Sequence, residues 1–207
     1  MKIHEIKTYS FEELSAEAQK RALEAAREVE CECGNPWDGE IRGTWEALEK
    51  LFNVTAEYDR GLAVNFSKWY YDEARELTGK RAMAYLWNNF GNEIFKGKYY
   101  STRGTWIDGK YNYKCRHSKC ILEYSCPLTG WCYDMDALDG MVDFMRGKMS
   151  AWEYKNTSVE DLIRDCFYDL AKTAEREEEY RLSDEGLKEL IEANDWEYLE
   201  DGRQFVA

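Results

Sequence analysis

The side chains of this 207-residue chain that could bind a metal or act as nucleophiles are few, and their spacing is poor for either task. Cys31, Cys33, Cys115, Cys120, Cys126 and Cys132, with His117, form the one set worth testing for zinc. Structural zinc takes four ligands in a tetrahedron, usually delivered as pairs about two to four residues apart on tight turns. Here the spacing is C-x-C followed by C-x4-C-x5-C-x5-C, and Cys115 to Cys126 falls on a predicted strand. Nothing supplies the usual knuckle, so no metal and no cofactor is expected, and the thiols read as buried or incidental. His4 lies near the N-terminus, so a Cys-His nucleophile would have to be assembled around His117. A nuclease-type carboxylate cluster could form from Asp134, Asp136, Asp139 and Asp143, but capping of a helix starting near Asp136 accounts for the first two more simply. No Walker A, HExxH or GxSxG sequence occurs, and no enzyme activity is expected.

Charge is the stronger signal. Residues 151–207 carry 17 acids against 7 bases and residues 1–150 carry 24 against 21, within a formal net charge of −13. Asp161, Asp165 and Asp169 recur at i, i+4 and i+8, which on a helix sets carboxylates about 6 Å apart along one face. Glu175 and Glu178 extend the row, and Asp184 and Glu189 follow on the next predicted helix. These seven acids are the candidate partner-binding residues, and the partner they suit is a host protein with a basic nucleic-acid-binding surface. Duplex DNA presents a charge every ~1.7 Å of axis, so one such row is roughly three- to fourfold too sparse to imitate it. Closer mimicry needs two acidic helices side by side, and an ordinary solvated acidic face is the plain alternative.

The segment from Lys96 to Lys119 has the opposite sign, with seven bases and one acid, Asp108. Lys98, Arg103, Trp106, Lys110, Tyr113, Lys114 and Arg116 mix phosphate partners with stacking faces, the mixture that single-stranded nucleic acid uses. A single-stranded nucleic-acid binder is therefore the alternative reading. The net charge opposes approach to a polyanion, and a solvent-facing hairpin also uses Lys and Tyr at its edges to deter aggregation.

These residues must be positioned by elements that the pattern predicts. Ser10 and Glu13 fit a capping box, and Ser15 caps a helix over AEAQKRALEAAREVE whose buried stripe is Leu14, Ala18, Ala22, Ala25 and Val29. A second helix covers Asp38 to Phe52 with Ile41, Trp45, Leu48 and Phe52 inward. Two short strands flank the turn Asp59-Arg60-Gly61, and a third helix covers about Tyr70 to Asn89 despite Gly79. Asp108-Gly109 marks a hairpin between Trp106-Ile107 and Tyr111 to Tyr124. A short helix covers Asp136 to Arg146, and a longer one follows a cap at Thr157 or Ser158 with Val159, Leu162, Ile163, Cys166, Leu170 and Ala174 inward. Ser183 caps a helix carrying Leu187, Leu190 and Ile191, and Asp201-Gly202 turns a final hairpin.

Helices with a small antiparallel sheet predict an α+β fold, in one domain over 1–207 whose residues 151–207 form a mainly helical acidic subregion. The apolar fraction of 44% and aromatic fraction of 15% suffice for a core and exclude a disordered acidic tail. No apolar run approaches the roughly 18–20 residues of a bilayer span, and MKIHEIKTYSFEEL has no secretory h-region. Seven cysteines without an export signal fit a reducing compartment, so a cytoplasmic protein without membrane contact is expected.

Three segments add a resemblance. YSFEELSAEAQKRAL carries a Y-x-F-x-E-L-S-x-x-A entry, CPLTGWCYDMDALDGMVDFM carries L-T-G-x-C, and EYRLSDEGLKELIEANDWEYLEDGR ends on E-A-N and D-G. Together they resemble a group of small acidic proteins encoded in bacteriophages and integrative elements of gut Firmicutes and related bacteria. The resemblance implies a mobile-element origin. By analogy of context and charge it also implies an anti-defence role such as anti-CRISPR inhibition. The expected function is thus a non-enzymatic inhibitor that binds a host nucleic-acid-handling defence protein through acidic and aromatic surface.

Overall fold

The computed structural model describes residues 6–59, 63–69, 74–95, 105–107, 110–112 and 126–206. Among them are eight α-helices, one 3-10 turn and two two-stranded antiparallel sheets, an α+β fold. The chain divides into two compact units, residues 1–38 with 174–207 and residues 39–173. Residues 151–207 are shared between them.

In the smaller unit the 3-10 turn Phe11–Glu13 opens on the expected capping box, with the Ser10 amide donating to Glu13 Oε2 at 2.9 Å. Helix α1, Ala16–Cys33, starts at Ser15, whose hydroxyl accepts from the Ala18 amide. Its buried residues are Ala18, Ala22, Leu23 and Ala26, packed with Phe11, Leu14, Leu187, Ile191 and Tyr198. The expected stripe is corrected at two positions, because Ala25 and Val29 are exposed. The buried arc follows the Ala18–Ala22–Ala26 line with Leu23 on its flank, which leaves Ala25 outside it. Val29 lies beyond the last buried residue, where the contacts become the ion pairs Arg27–Asp184 and Glu30–Arg181, both at 2.5 Å.

Alanine on α1 lets the tail come close. Tyr9 and Tyr198 exchange two backbone hydrogen bonds of 2.9 Å, and Leu199 to Arg203 closes the predicted terminal hairpin. Gly202 at its turn has φ +88, and a Cβ there would collide with the Ala18 carbonyl, so only glycine fits.

In the larger unit α2, Asp38–Phe52, buries Leu48 and Phe52 and half-buries Ile41 and Trp45 against the core, as its spacing predicts. Strands β1, Val54–Asp59, and β2, Ala63–Trp69, pair antiparallel with Tyr58 opposite Val64 and a bulge at Thr55/Ala56. Helix α3, Gly79–Asn89, is shorter than expected, and its predicted first residues 70–73 lie outside the described residues. Arg75 and Leu77 instead give their carbonyls to the Glu160 and Val159 amides, satisfying the exposed N-terminal donors of a later helix. Gly79, at φ +55, then starts α3 after this extended stretch.

The one-turn helix α4, Gly91–Ile94, and α6, Ala151–Asn156, were not predicted, although Ser150 and Glu153 form a capping box at α6. Strands β3, Thr105–Ile107, and β4, Lys110–Asn112, pair antiparallel, while the predicted turn Asp108-Gly109 and the continuation from 113 to Tyr124 lie outside the described residues. Helix α5, Tyr133–Met145, begins a turn earlier than expected.

Helix α7, Val159–Arg181, gives residues 159–173 to the larger unit and 174–181 to the smaller. Its inner face is the predicted Val159, Leu162, Ile163, Cys166 and Leu170, joined by Phe167. The Phe167 ring stands edge-on to Trp45 at 4.8 Å, Phe66 at 6.0 Å and Phe52 at 6.4 Å, which fixes which face of α7 is left outward. Helix α8, Asp184–Ala193, is capped by Ser183, buries Leu187 and Ile191 and half-buries Leu190.

Candidate protein-binding surface

With Phe167 and its neighbours turned inward, the outward side of α7 in the larger unit carries Asp161, Asp165 and Asp169 one turn apart. The first belongs partly to the helix end. The Ser158 amide and hydroxyl donate to Asp161 Oδ2 at 2.9 and 2.7 Å, and the Asp161 amide donates back to Ser158 Oγ at 3.1 Å. Of the two predicted caps, Thr157 and Ser158, this reciprocal contact selects Ser158.

Asp165 is the electrostatic centre of the row. Desolvation by the surrounding protein, then the charges of Asp169 and Asp161, push its carboxyl up to about 6, and Arg164 opposes them. Arg164 is directed elsewhere: it donates to the Val64 carbonyl and to Glu160 Oε1, and its guanidinium stands over the Phe66 ring. Glu160 is structural, held below the usual carboxylate range first by side-chain hydrogen bonds from Arg75, two contacts of 2.7 Å.

Asp169 lies beside α5, its Oδ2 4.0 Å from where a Cβ on Gly140 would stand. On α5, Asp136 and Asp143 stand at i−4 and i+3 from Gly140 and so share its side of the helix, with Asp143 paired to Lys148. The second acidic helix beside the row is therefore α5, which sequence spacing alone did not suggest. Tyr168, 37% exposed and three residues past Asp165, adds an aromatic edge, with Lys172 Nζ 5.6 Å from its ring centroid.

The other predicted acids serve the smaller unit. Glu178 pairs with Arg181 at 2.8 Å, Asp184 pairs with Arg27, and Glu189 hydrogen-bonds Tyr180. Glu175 is half-buried. The seven candidates thus divide between the units, with Asp161, Asp165 and Asp169 in the larger. The smaller unit has a concavity that the sequence did not reveal, a groove of about 500 Å³. Tyr9, Phe11 and Trp196 line it together with Glu12, Glu192, Asp195 and Glu197. Its two sides come from opposite ends of the chain, so no sequence window contains it.

Of the alternative nucleic-acid set, Trp106 and Lys110 sit on β3 and β4. Lys98, Arg103, Tyr113, Lys114 and Arg116 lie outside the described residues, as do Cys115, His117 and Cys120. Among the described residues no group of three or more His, Cys, Asp or Glu is placed to hold a metal, and no helix is long and apolar enough to cross a membrane.

The carboxylate cluster of α5 also resolves. Asp134 stands with Asp136 in the first turn of α5, where it is fully buried and also serves the preceding loop: it accepts from the Leu128 and Thr129 amides at 2.7 Å, Gly130 at 3.3 Å, Thr129 Oγ1 at 2.7 Å and Thr44 Oγ1 at 3.2 Å. It pins the Leu128-Thr129-Gly130 loop. Asp143 pairs with Lys148 at 3.0 Å. No family model, curated protein or solved structure matches this chain.

Proposed function

We propose that the protein is a non-enzymatic inhibitor, carried by a mobile element, that docks on the basic nucleic-acid-binding surface of a host defence protein. The first partner to test is a CRISPR effector nuclease. The observation that carries this reading is the row of Asp161, Asp165 and Asp169 along one side of α7, where desolvation first and the two neighbouring carboxylates second raise the Asp165 carboxyl to about 6. A basic surface laid against the row would offset the repulsion among the three carboxylates, and that attraction has to outweigh the added desolvation. Asp169, Tyr168 and Asp136 of α5 supply charge and an aromatic edge around Asp165. The mobile-element part rests on the three sequence segments that resemble phage and integrative-element proteins.

The test is inhibition of target cleavage by a guide-loaded effector nuclease. Asp165→Lys with Asp169→Lys should weaken inhibition by about tenfold or more. Glu24→Lys with Glu28→Lys on α1 makes the same change in net charge and should leave it nearly intact. Equal losses would mean that only total charge matters, and no loss from the first pair would sink the reading. Direct binding of single-stranded DNA that weakens as salt rises would instead favour the basic segment 96–119.

A further inference from the structure

Cys126 and Cys132 bracket the loop Pro127 to Trp131, and that loop is shaped by a group other than the thiols. The buried Asp134 carboxylate collects the amides of Leu128, Thr129 and Gly130, and Thr129 Oγ1 in turn accepts from the Trp131 amide at 3.1 Å. Trp131 lies flat on α2, its ring filling the space that a side chain on Gly43 would need. The loop between the two cysteines is thereby held in one shape, and the Cys132 side chain is near enough to Cys126 to act on its thiol. Cys126 is half-buried with φ +34, a left-handed conformation unusual for a cysteine, while Cys132 is exposed.

The other described cysteines lack this arrangement. Cys31 and Cys33 are two apart on α1 and point to different sides of the helix. Cys166 is buried and donates to the Leu162 carbonyl at 3.2 Å.

We propose that Cys126 and Cys132 form a reversible redox pair, converted by a peroxide-class oxidant to an intramolecular disulfide. Cys132 reacts first because it is exposed. Its thiolate attacks one peroxide oxygen, the O–O bond breaks, and the products are a Cys132 sulfenic acid and hydroxide, which takes up a proton. The Cys126 sulfur, losing its proton, then attacks the Cys132 sulfur. The S–O bond breaks, and hydroxide leaves as water. Two thiols are oxidised by two electrons, and one hydrogen peroxide is reduced to two waters. Cys126 is the resolving residue: burial first, then the Cys132, Asp134 and Asp136 charges, raise its thiol, so it is a poor first nucleophile but lies beside the sulfenic acid. A dithiol reductant reverses the bond by exchange.

The test treats the full chain with a small molar excess of hydrogen peroxide, followed by alkylation and peptide mapping without reduction. The expected product links Cys126 to Cys132 with loss of two hydrogens and is restored by dithiothreitol. Because the fold holds the thiols together, the bond should form at least about tenfold faster in buffer than in concentrated urea. Cys126→Ser should leave Cys132 as a sulfenic acid that dimedone captures. The proposal is overturned if Cys126 and Cys132 stay alkylatable when the other exposed thiols are oxidised, if either pairs with Cys115 or Cys120, or if urea does not slow the reaction.

Discussion

Asp134 and Asp165 are both carboxylates on the helices of the larger unit, yet their surroundings assign them opposite work. Asp134 accepts from five donors in a fully buried position, so removing its oxygens strands amides and hydroxyls without water. Asp134→Ala should cost about 2–4 kcal/mol in urea unfolding, since each stranded buried donor costs about 1–3 kcal/mol and some will find water. Asp165 is the reverse case. Its carboxyl titrates at about 6 in the folded chain, against the ordinary 3.8. The folded state therefore holds its proton more tightly than the unfolded state does. The stabilising contribution of the neutral form is complete below about pH 3.8 and is lost as pH rises through about 6. Asp165→Asn should accordingly raise stability at pH 7 by a few tenths to about 1 kcal/mol, a small gain because the side chain faces solvent and its repulsions are screened. The gain should vanish near pH 4, and an identical gain at both pH values, read from thermal unfolding, would mean that the Asp165 carboxyl is not raised in the folded chain.

Helix α1 tests how closely two neighbouring alanines can differ. Ala22 is 1% exposed and faces Leu187, Ile191 and Tyr198, so Ala22→Leu should overpack the smaller unit and cost about 1–3 kcal/mol. Ala25 is exposed, and Ala25→Leu should change the melting temperature little. The contrast bears on what the sequence made legible. Caps read well, because Ser15, Ser158 and Ser183 act through residues three positions away, and α2 read well because its apolar period of Ile41, Trp45, Leu48 and Phe52 runs on through Gly43. The exposure of Ala25 and Val29 was not legible, since it depends on where α8 and the tail come to lie. The late start of α3 was hidden for a similar reason: Arg75 and Leu77 spend their carbonyls on α7, more than eighty residues later. The same holds for the candidate surface. The i, i+4, i+8 spacing of Asp161, Asp165 and Asp169 was visible, but the approach of Gly140 to Asp169, which sets α5 beside the row, is a tertiary fact.

For the whole molecule, the net charge of −13 and the local row should leave different kinetic signatures on a basic partner. Long-range attraction acts before contact and is cut as the screening length falls from ~10 Å at 0.1 M salt to ~3 Å at 1 M. The association rate constant, followed by surface plasmon resonance against an immobilised guide-loaded nuclease, should therefore drop by about tenfold or more across that range. The Asp165→Lys, Asp169→Lys pair acts after contact, where each new lysine meets a base at short distance. Its main effect should be faster dissociation, with association slowed about as much as by the α1 charge-reversal pair, since both change the net charge equally. Acidification supplies a variant-free version of the same experiment. Lowering the pH from 7.5 to 5.5 protonates Asp165 ahead of carboxylates with ordinary values near 4, so dissociation should quicken in wild type and less so in Asp165→Asn. If wild type and Asp165→Asn respond to that step identically, the row is a bystander, and the attraction resides in the rest of the acidic surface.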